Sequence, residues 1–293
     1  MTNASNAPLS NRPGSEQPKR RTGLIVGIVI AVVVIVLAAI LIPHFVNANN
    51  ATDEPAAGGD AAAYSLVTDG TLTVATEGTY KPFSYHDETG ELVGYDVEVS
   101  KAVADKLGLE VEFQETEWAA IFAGLESKRF DVIGNQVSIN EEREAKYSLS
   151  DPYSVSPGAL VVASDNTDIT GFDSLEGKKA AQSATSNWYE LAAGYGADIE
   201  EVEGWNESVS LLTSGRIDFT LNDKLTVLDY LATEGDDAIK IVAETEDPSL
   251  SAFAVTKDNS ALTEAINGAL AELSADGTLA EIGEKYFGED VSK

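Results

Sequence analysis

Apolar residues recur along this chain with two alternating periods. In TLTVAT (71–76) they take every second position, Leu72 and Val74, between threonines, which predicts a strand. In GYDVEVSKAVADKLG (94–108) the period lengthens. Val97, Val99, Val103 and Leu107 lie largely on one side of a helix that Gly108 ends. LEVEF (109–113) returns to a strand, WAAIFAGLES (118–127) to a helix, and DVIG (131–134) to a short buried strand. Asn140 opens a short helix over 140–147, Thr185 or Ser186 caps one within 183–196, and Asp223 opens another. Residues 260–288 predict two amphipathic helices broken near Asp276-Gly277.

Repetition of the strand–helix unit predicts an α/β fold with a mainly parallel sheet. The grammar also repeats at longer range. GLESKRFDVIGNQ (124–136) and LLTSGRIDFTLND (211–223) share a helix end, a serine, a basic residue, an apolar residue, an aspartate and a short strand. Each strand finishes in a polar pair, Asn135-Gln136 or Asn222-Asp223. Two similar lobes follow from this, and ligands of open α/β sheets bind beyond the carboxyl ends of the strands. Both pairs would then face one cleft, with the final helices returning to the first lobe.

The N-terminal part has no such periods. Residues 24–42 are apolar without interruption, long enough to span a membrane, and Lys19, Arg20 and Arg21 precede them. Positive charge on that side predicts a cytoplasmic tail (1–23), a single-pass anchor (24–42) and everything later outside the cytoplasm. A cleaved signal peptide is the rival, since Val46-Asn47-Ala48 offers small residues, but the apolar run exceeds a usual signal core. Residues 43–65 read as a flexible linker, followed by a first lobe in two parts (66–157 and 250–293) around a second (158–249).

Composition narrows the function. A net charge of −30, from 19 Lys+Arg against 49 Asp+Glu, excludes a nucleic-acid face. The absence of cysteine excludes disulfides, thiolate metal sites and thiol nucleophiles. The two histidines, His44 and His86, are too few for a multi-histidine metal site, so no metal or cofactor is expected.

Few cations remain for chemistry. Arg143 falls in the first turn of the 140–147 helix, where it either pairs with Glu141, Glu142 or Glu144 or grips a ligand carboxylate with its planar fork. Ser138, just upstream, could add a hydroxyl. Asp223 is either a plain helix cap or the receiver of an ammonium group. The helix start at Thr185 and Ser186 is either simply well capped or an anion site. Tyr80 and Trp118 follow strand ends and are either core residues or rings that sandwich an aliphatic side chain.

The stretch GYDVEVSKAVADKL (94–107) resembles the signature of family 3 solute-binding proteins, which serve ABC importers of polar amino acids. TYKPFSY, FDVIGNQVSINEER, SLSDPYS and AELSADGTLAEIGEKYFG resemble further blocks of that family in the same order. The resemblance implies a two-lobed, type II periplasmic-binding-protein-like fold that closes over its ligand and hands it to a permease with its ATPase subunits. By resemblance Arg143 holds the ligand's α-carboxylate, Ser138 and Ser186 flank it with Thr185 beside them, and Asp223 takes the α-amino group. Tyr80 and Trp118 become side-chain walls. Glu77 stands where many members have aspartate, and Asn135 and Gln136 complete the polar lining. NQVSINEER, GKKAAQSATSNWYELA and NDKLTVLDYL are most similar to the L-cystine-binding branch, although Ala184 departs from the glycine or leucine often found there. The lipobox cysteine of many relatives is missing, and residues 24–42 would supply the anchor. Cyclohexadienyl dehydratases share the fold and form the enzymatic alternative, for which Glu77 is the sole candidate acid–base group.

Overall fold

The computed structural model describes residues 64–233 and 237–293. The predicted tail, the apolar segment 24–42 and nearly all of the linker lie outside them. Among the described residues no helix is long and apolar enough to cross a membrane.

In chain order the elements are β1 (Thr71–Thr76), β2 (Thr79–Tyr80), β3 (Ser84–His86), β4 (Leu92–Val93), α1 (Tyr95–Leu107), β5 (Glu110–Glu115), α2 (Trp118–Glu126), β6 (Val132–Ser138), α3 (Glu141–Lys146), β7 (Tyr147–Leu149) and β8 (Ser154–Ser156). Then come β9 (Gly158–Ala163), β10 (Lys179–Gln182), α4 (Asn187–Gly194), β11 (Asp198–Glu201), α5 (Trp205–Thr213), β12 (Phe219–Asp223), α6 (Lys224–Thr233) and β13 (Ile239–Glu244). Last are β14 (Ser249–Thr256), α7 (Ser260–Asp276) and α8 (Thr278–Phe287).

Two sheets organise them. The first runs β5-β1-β6-β14-β7 with β8 also on β14, and the second runs β11-β10-β12-β9-β13. Each holds a parallel trio, β5-β1-β6 or β11-β10-β12, flanked by antiparallel strands. The sheets are therefore mixed rather than mainly parallel. The strands joining the lobes cause this: β9 enters the second sheet straight from β8, and β14 returns from β13, each without the helical crossover that a parallel neighbour requires. The chain passes between sheets twice, around Pro157 and over residues 245–248.

β6 is the second departure. It continues past Gly134 to Ser138, and all seven of its residues are buried. Asn135-Gln136 lies inside the strand, not at its end. A polar pair looks like a terminus in sequence, yet here both side chains are buried at the cleft while the backbone goes on pairing with β14 across a shift in register.

Packing follows from the helix faces. Val99 and Val103 of α1 meet Leu72 and Val74 of β1, with Leu262, Ile266, Leu270 and Leu273 of α7 and Leu279 and Ile282 of α8 in the same core. The C-terminal helices thus return to the first sheet, and Gly277, with φ 88°, makes the break between them. The second sheet has separate cores, one around Trp205, Val209, Leu212 and Val227 and one around Leu160, Val162, Phe219 and Leu221. Gly94 begins α1 at φ 132°, where a Cβ would run into the Phe83 carbonyl, so α1 starts tight against the β2–β4 hairpin.

Candidate functional site

The carboxyl ends of β1, β6, β10 and β12 meet between the two sheets. A cavity of about 380 Å³ lies there, within the range of small-molecule sites. Of the residues expected from sequence, Glu77, Tyr80, Trp118, Asn135, Gln136 and Ser186 line it. Ser138, Arg143, Thr185 and Asp223 are not among the lining residues.

Asn135 organises the floor. Its Oδ1 accepts from Thr76 Oγ1 and from the Glu77 backbone N–H, both at 2.9 Å, and its Nδ2 donates to Glu77 Oε2 at 2.6 Å. That last bond fixes the Glu77 carboxyl. Burial pushes this carboxyl up to about 7, against the Asn135 hydrogen bond and with help from Glu203. Two polar atoms on the lining residues have no protein partner, Trp118 Nε1 and Gln136 Oε1. One donates and the other accepts, so together they call for a ligand with both functions.

Arg143 is only 6% exposed, although glutamates flank it in sequence. Asn140 caps α3 by accepting the Arg143 backbone N–H at 2.8 Å, and the guanidinium turns inward. Its carbon sits 5.3 Å from the centre of the Trp118 ring and 5.5 Å from that of Phe122. Nη1 donates to the Ser138 carbonyl at 2.9 Å and Nη2 to the Thr185 carbonyl at 3.3 Å. Burial lowers its pKa to about 10, partly offset by Glu190 and Glu142. Among the described residues no carboxylate lies within ion-pair distance of it. Two of its five N–H groups are engaged, leaving donors for an outside acceptor.

Asp223 is the complementary case. At 4% exposure, its Oδ1 accepts from Ser156 Oγ at 2.6 Å and from the Leu225 N–H at 2.8 Å. Burial pushes its carboxyl up to about 6, and no cation pairs with it among the described residues. Ser186 is the cap of α4, accepting from Tyr189 N at 3.0 Å. Thr185 has φ 61°, a strained value for a β-branched residue, and offers its carbonyl to Arg143. Ser138 contributes its carbonyl to Arg143, while its hydroxyl accepts from Ser249 Oγ at 3.0 Å.

The lobes touch around this space. Tyr80 Oη donates to Asn222 Oδ1 at 2.7 Å, Arg143 reaches Thr185, and Lys81 faces Asp229 at 3.7 Å. The second lobe also brings Trp188, Glu203, Trp205 and Glu207 to the wall, none of which the sequence analysis named as a site residue. Trp205 was within reach of it. Trp205 begins α5 just as Trp118 begins α2, each before one copy of the 124–136 and 211–223 repeat. Trp188 and the glutamates carried no comparable signal.

The sequence profile of the bacterial extracellular solute-binding proteins, family 3, matches residues 72–289. The chain belongs to that family. Members carry their binding body outside the cytoplasm. The L-cystine-binding protein TcyA of Bacillus subtilis is 46% identical to this solute-binding protein over 266 residues, 90% of this chain and 98% of that one. The L-cystine solute receptor of Neisseria gonorrhoeae, solved unliganded and open, is 46% identical over 76% of this chain and 95% of its own, with a TM-score of 0.54. An ancestral arginine-binding protein bound to glutamine is 38% identical over 76% of this chain and 100% of its own, and its TM-score is 0.72. The overlap is better with the ligand-bound relative despite lower identity, as befits lobes in contact across the cleft. These relatives are named as binding proteins, and they favour that class over the enzymatic alternative.

Proposed function

We propose that this solute-binding protein captures L-cystine outside the cytoplasm and delivers it to an ABC permease with its ATPase subunits. The observation that supports the reading is a pair of buried, opposite charges, each next to a residue that lines the cavity: Arg143 against Trp118, and Asp223 directly after Asn222. Arg143 has no carboxylate partner and Asp223 has no cation partner, and a buried unpaired charge is unfavourable until something compensates it. An α-amino acid zwitterion supplies both complements. In this reading Arg143 leaves the Thr185 carbonyl for the ligand's α-carboxylate, flanked by Ser138, Thr185 and Ser186, while Asp223 receives the α-amino group. Tyr80 and Trp118 hold the side chain, and Glu77, Asn135 and Gln136 meet its polar end. A long ligand with a second head group suits the four carboxylates on the lining, Glu77, Glu117, Glu203 and Glu207, which favour an ammonium over a neutral tip. The names of two relatives support cystine among such ligands.

Residues 24–42 serve in the same reading as the membrane anchor, 43–65 as its linker, and 66–157 with 250–293 as the lobe that embraces 158–249. A thermal-shift screen of the amino acids tests the ligand. L-Cystine is expected to give the largest rise, about 2.7 kcal/mol of stabilisation at a hundredfold excess over Kd. A larger rise with histidine, arginine or glutamine would move the protein to another branch of the family. No rise with any amino acid, together with consumption of prephenate or arogenate, would replace the receptor by the enzyme.

A further inference from the structure

Gln136 occupies an unusual place. It lies in β6 near a shift in register with φ 48°, a left-handed conformation that a glutamine adopts only when its surroundings hold it there. Asp96, in the first turn of α1 and wholly buried, provides the hold. Its Oδ2 accepts the Gln136 backbone N–H at 2.9 Å, and its Oδ1 accepts the side-chain Nε2 at 2.7 Å. The Tyr153 hydroxyl completes the cluster, 3.3 Å from the same backbone nitrogen and hydrogen-bonded to the carboxylate.

The chemistry of this contact has a direction. Both Asp96 oxygens accept here, one from the Gln136 backbone and one from its side chain, so the Gln136 amide meets Asp96 through its NH2 end. The carbonyl end, Oε1, is then left buried and without a partner on a residue that lines the cavity. A buried acceptor without a donor is costly, which makes Oε1 a standing demand for an N–H from the cavity's occupant.

We propose that Asp96 is a positioning residue for ligand selection: by binding the NH2 end of Gln136, it makes that side chain present an acceptor, and so favours ligands bearing an amine there. The inference rests on the reading of the cleft as an amino acid site and adds the reason it would prefer amines to isosteric acids. Asparagine at 96 would put an N–H against Gln136. The amide would turn over and show its own NH2 to the cavity instead.

The test compares L-cystine with dithiodipropionate, the same disulfide without its amines, by calorimetry on the purified full-length protein. Asp96→Asn should weaken cystine roughly ten- to a hundredfold, the worth of a hydrogen bond to a charged group, and leave dithiodipropionate unweakened. Gln136→Met should lose the same preference, and adding Asp96→Asn to it should cost nothing more, since the two act through one contact. Equal losses for both ligands, or a full cost of Asp96→Asn on the Met background, would reduce Asp96 to a structural role and overturn the proposal alone. Should Asp96→Asn fail to fold, Gln136→Met decides by itself, and an unchanged preference for cystine overturns the proposal. A wild type that binds neither compound removes the cystine reading and this one with it.

Discussion

The two lobes share a strand order and a repeat, yet they furnish the cleft differently. In the first lobe the lining groups are tied down from behind: Asn135 grips Glu77, Asp96 grips Gln136, and Trp118 stacks against Arg143. In the second lobe Glu203 and Glu207 are exposed, and Thr185 sits in a strained turn. That contrast favours a wall finished before a ligand arrives and another that closes onto it. Preorganisation on one side lowers the ordering cost of binding, while mobility on the other permits entry. If that contrast is right, changes to the finished wall should alter affinity most, and changes across the gap should alter closure.

The largest effect is expected from Arg143→Ala. Loss of the guanidinium should cost several kcal/mol of ligand affinity, as truncation of one partner of a buried charge pair does, and leave the melting temperature of the ligand-free protein nearly unchanged. Near-normal affinity by calorimetry would return Arg143 to a structural role and remove the main difference between the walls.

A smaller effect concerns acidity, and its sign can be worked out. Glu77 and Asp96 on the first lobe are pushed up to about 7, and Asp223 on the second to about 6, each mainly by burial. Each native pKa lies above its unfolded value near 4, so the folded state favours the proton. The stabilisation is full below that unfolded value and is lost as pH rises through 6 to 7. The ligand-free protein should therefore become less stable from pH 4.5 to 7.5, and Glu77→Gln should flatten that slope. Denaturant melts that show an equal slope in wild type and variant would speak against the buried Glu77 carboxyl.

Tyr80→Phe should have the smallest effect. It removes one bridge between the walls, the 2.7 Å bond to Asn222, worth about 1 kcal/mol. Ligand affinity should fall about fivefold by titration, with dissociation faster rather than association slower. A slower association rate instead would mean that Tyr80 shapes entry, not closure.

Much of this could be read before any coordinates. Periodicity located β1, α1, α2 and the break at Gly277, because burial of one face imposes it directly. The repeat announced two similar sheets. What periodicity could not carry was strand direction, which depends on where the chain crosses between lobes, or the continuation of β6 through a polar pair. Of the cavity lining, Glu77, Tyr80, Trp118, Asn135, Gln136 and Ser186 were named from sequence. Trp188, Glu203 and Glu207 were not, since a glutamate at a loop tip looks the same in sequence whether it faces bulk water or a cleft. The hold of Asp96 on Gln136 was also hidden, because two residues forty positions apart give no pattern.

The two crossings of the chain set the mechanics of the body. They run near each other, since β8 pairs with β14 on one side and β9 with β13 on the other. Two nearby tethers leave rotation about the line through them as the soft motion and resist sliding. Asp223 sits close to that axis, opposite Gly158 in the ladder and bonded to Ser156. A group on the axis has a short lever arm, so it shifts little while points further out sweep apart. Asp223 would then face an incoming solute in much the same posture whether the jaws are wide or shut, making it the fixed pivot against which the rest of the cleft swings.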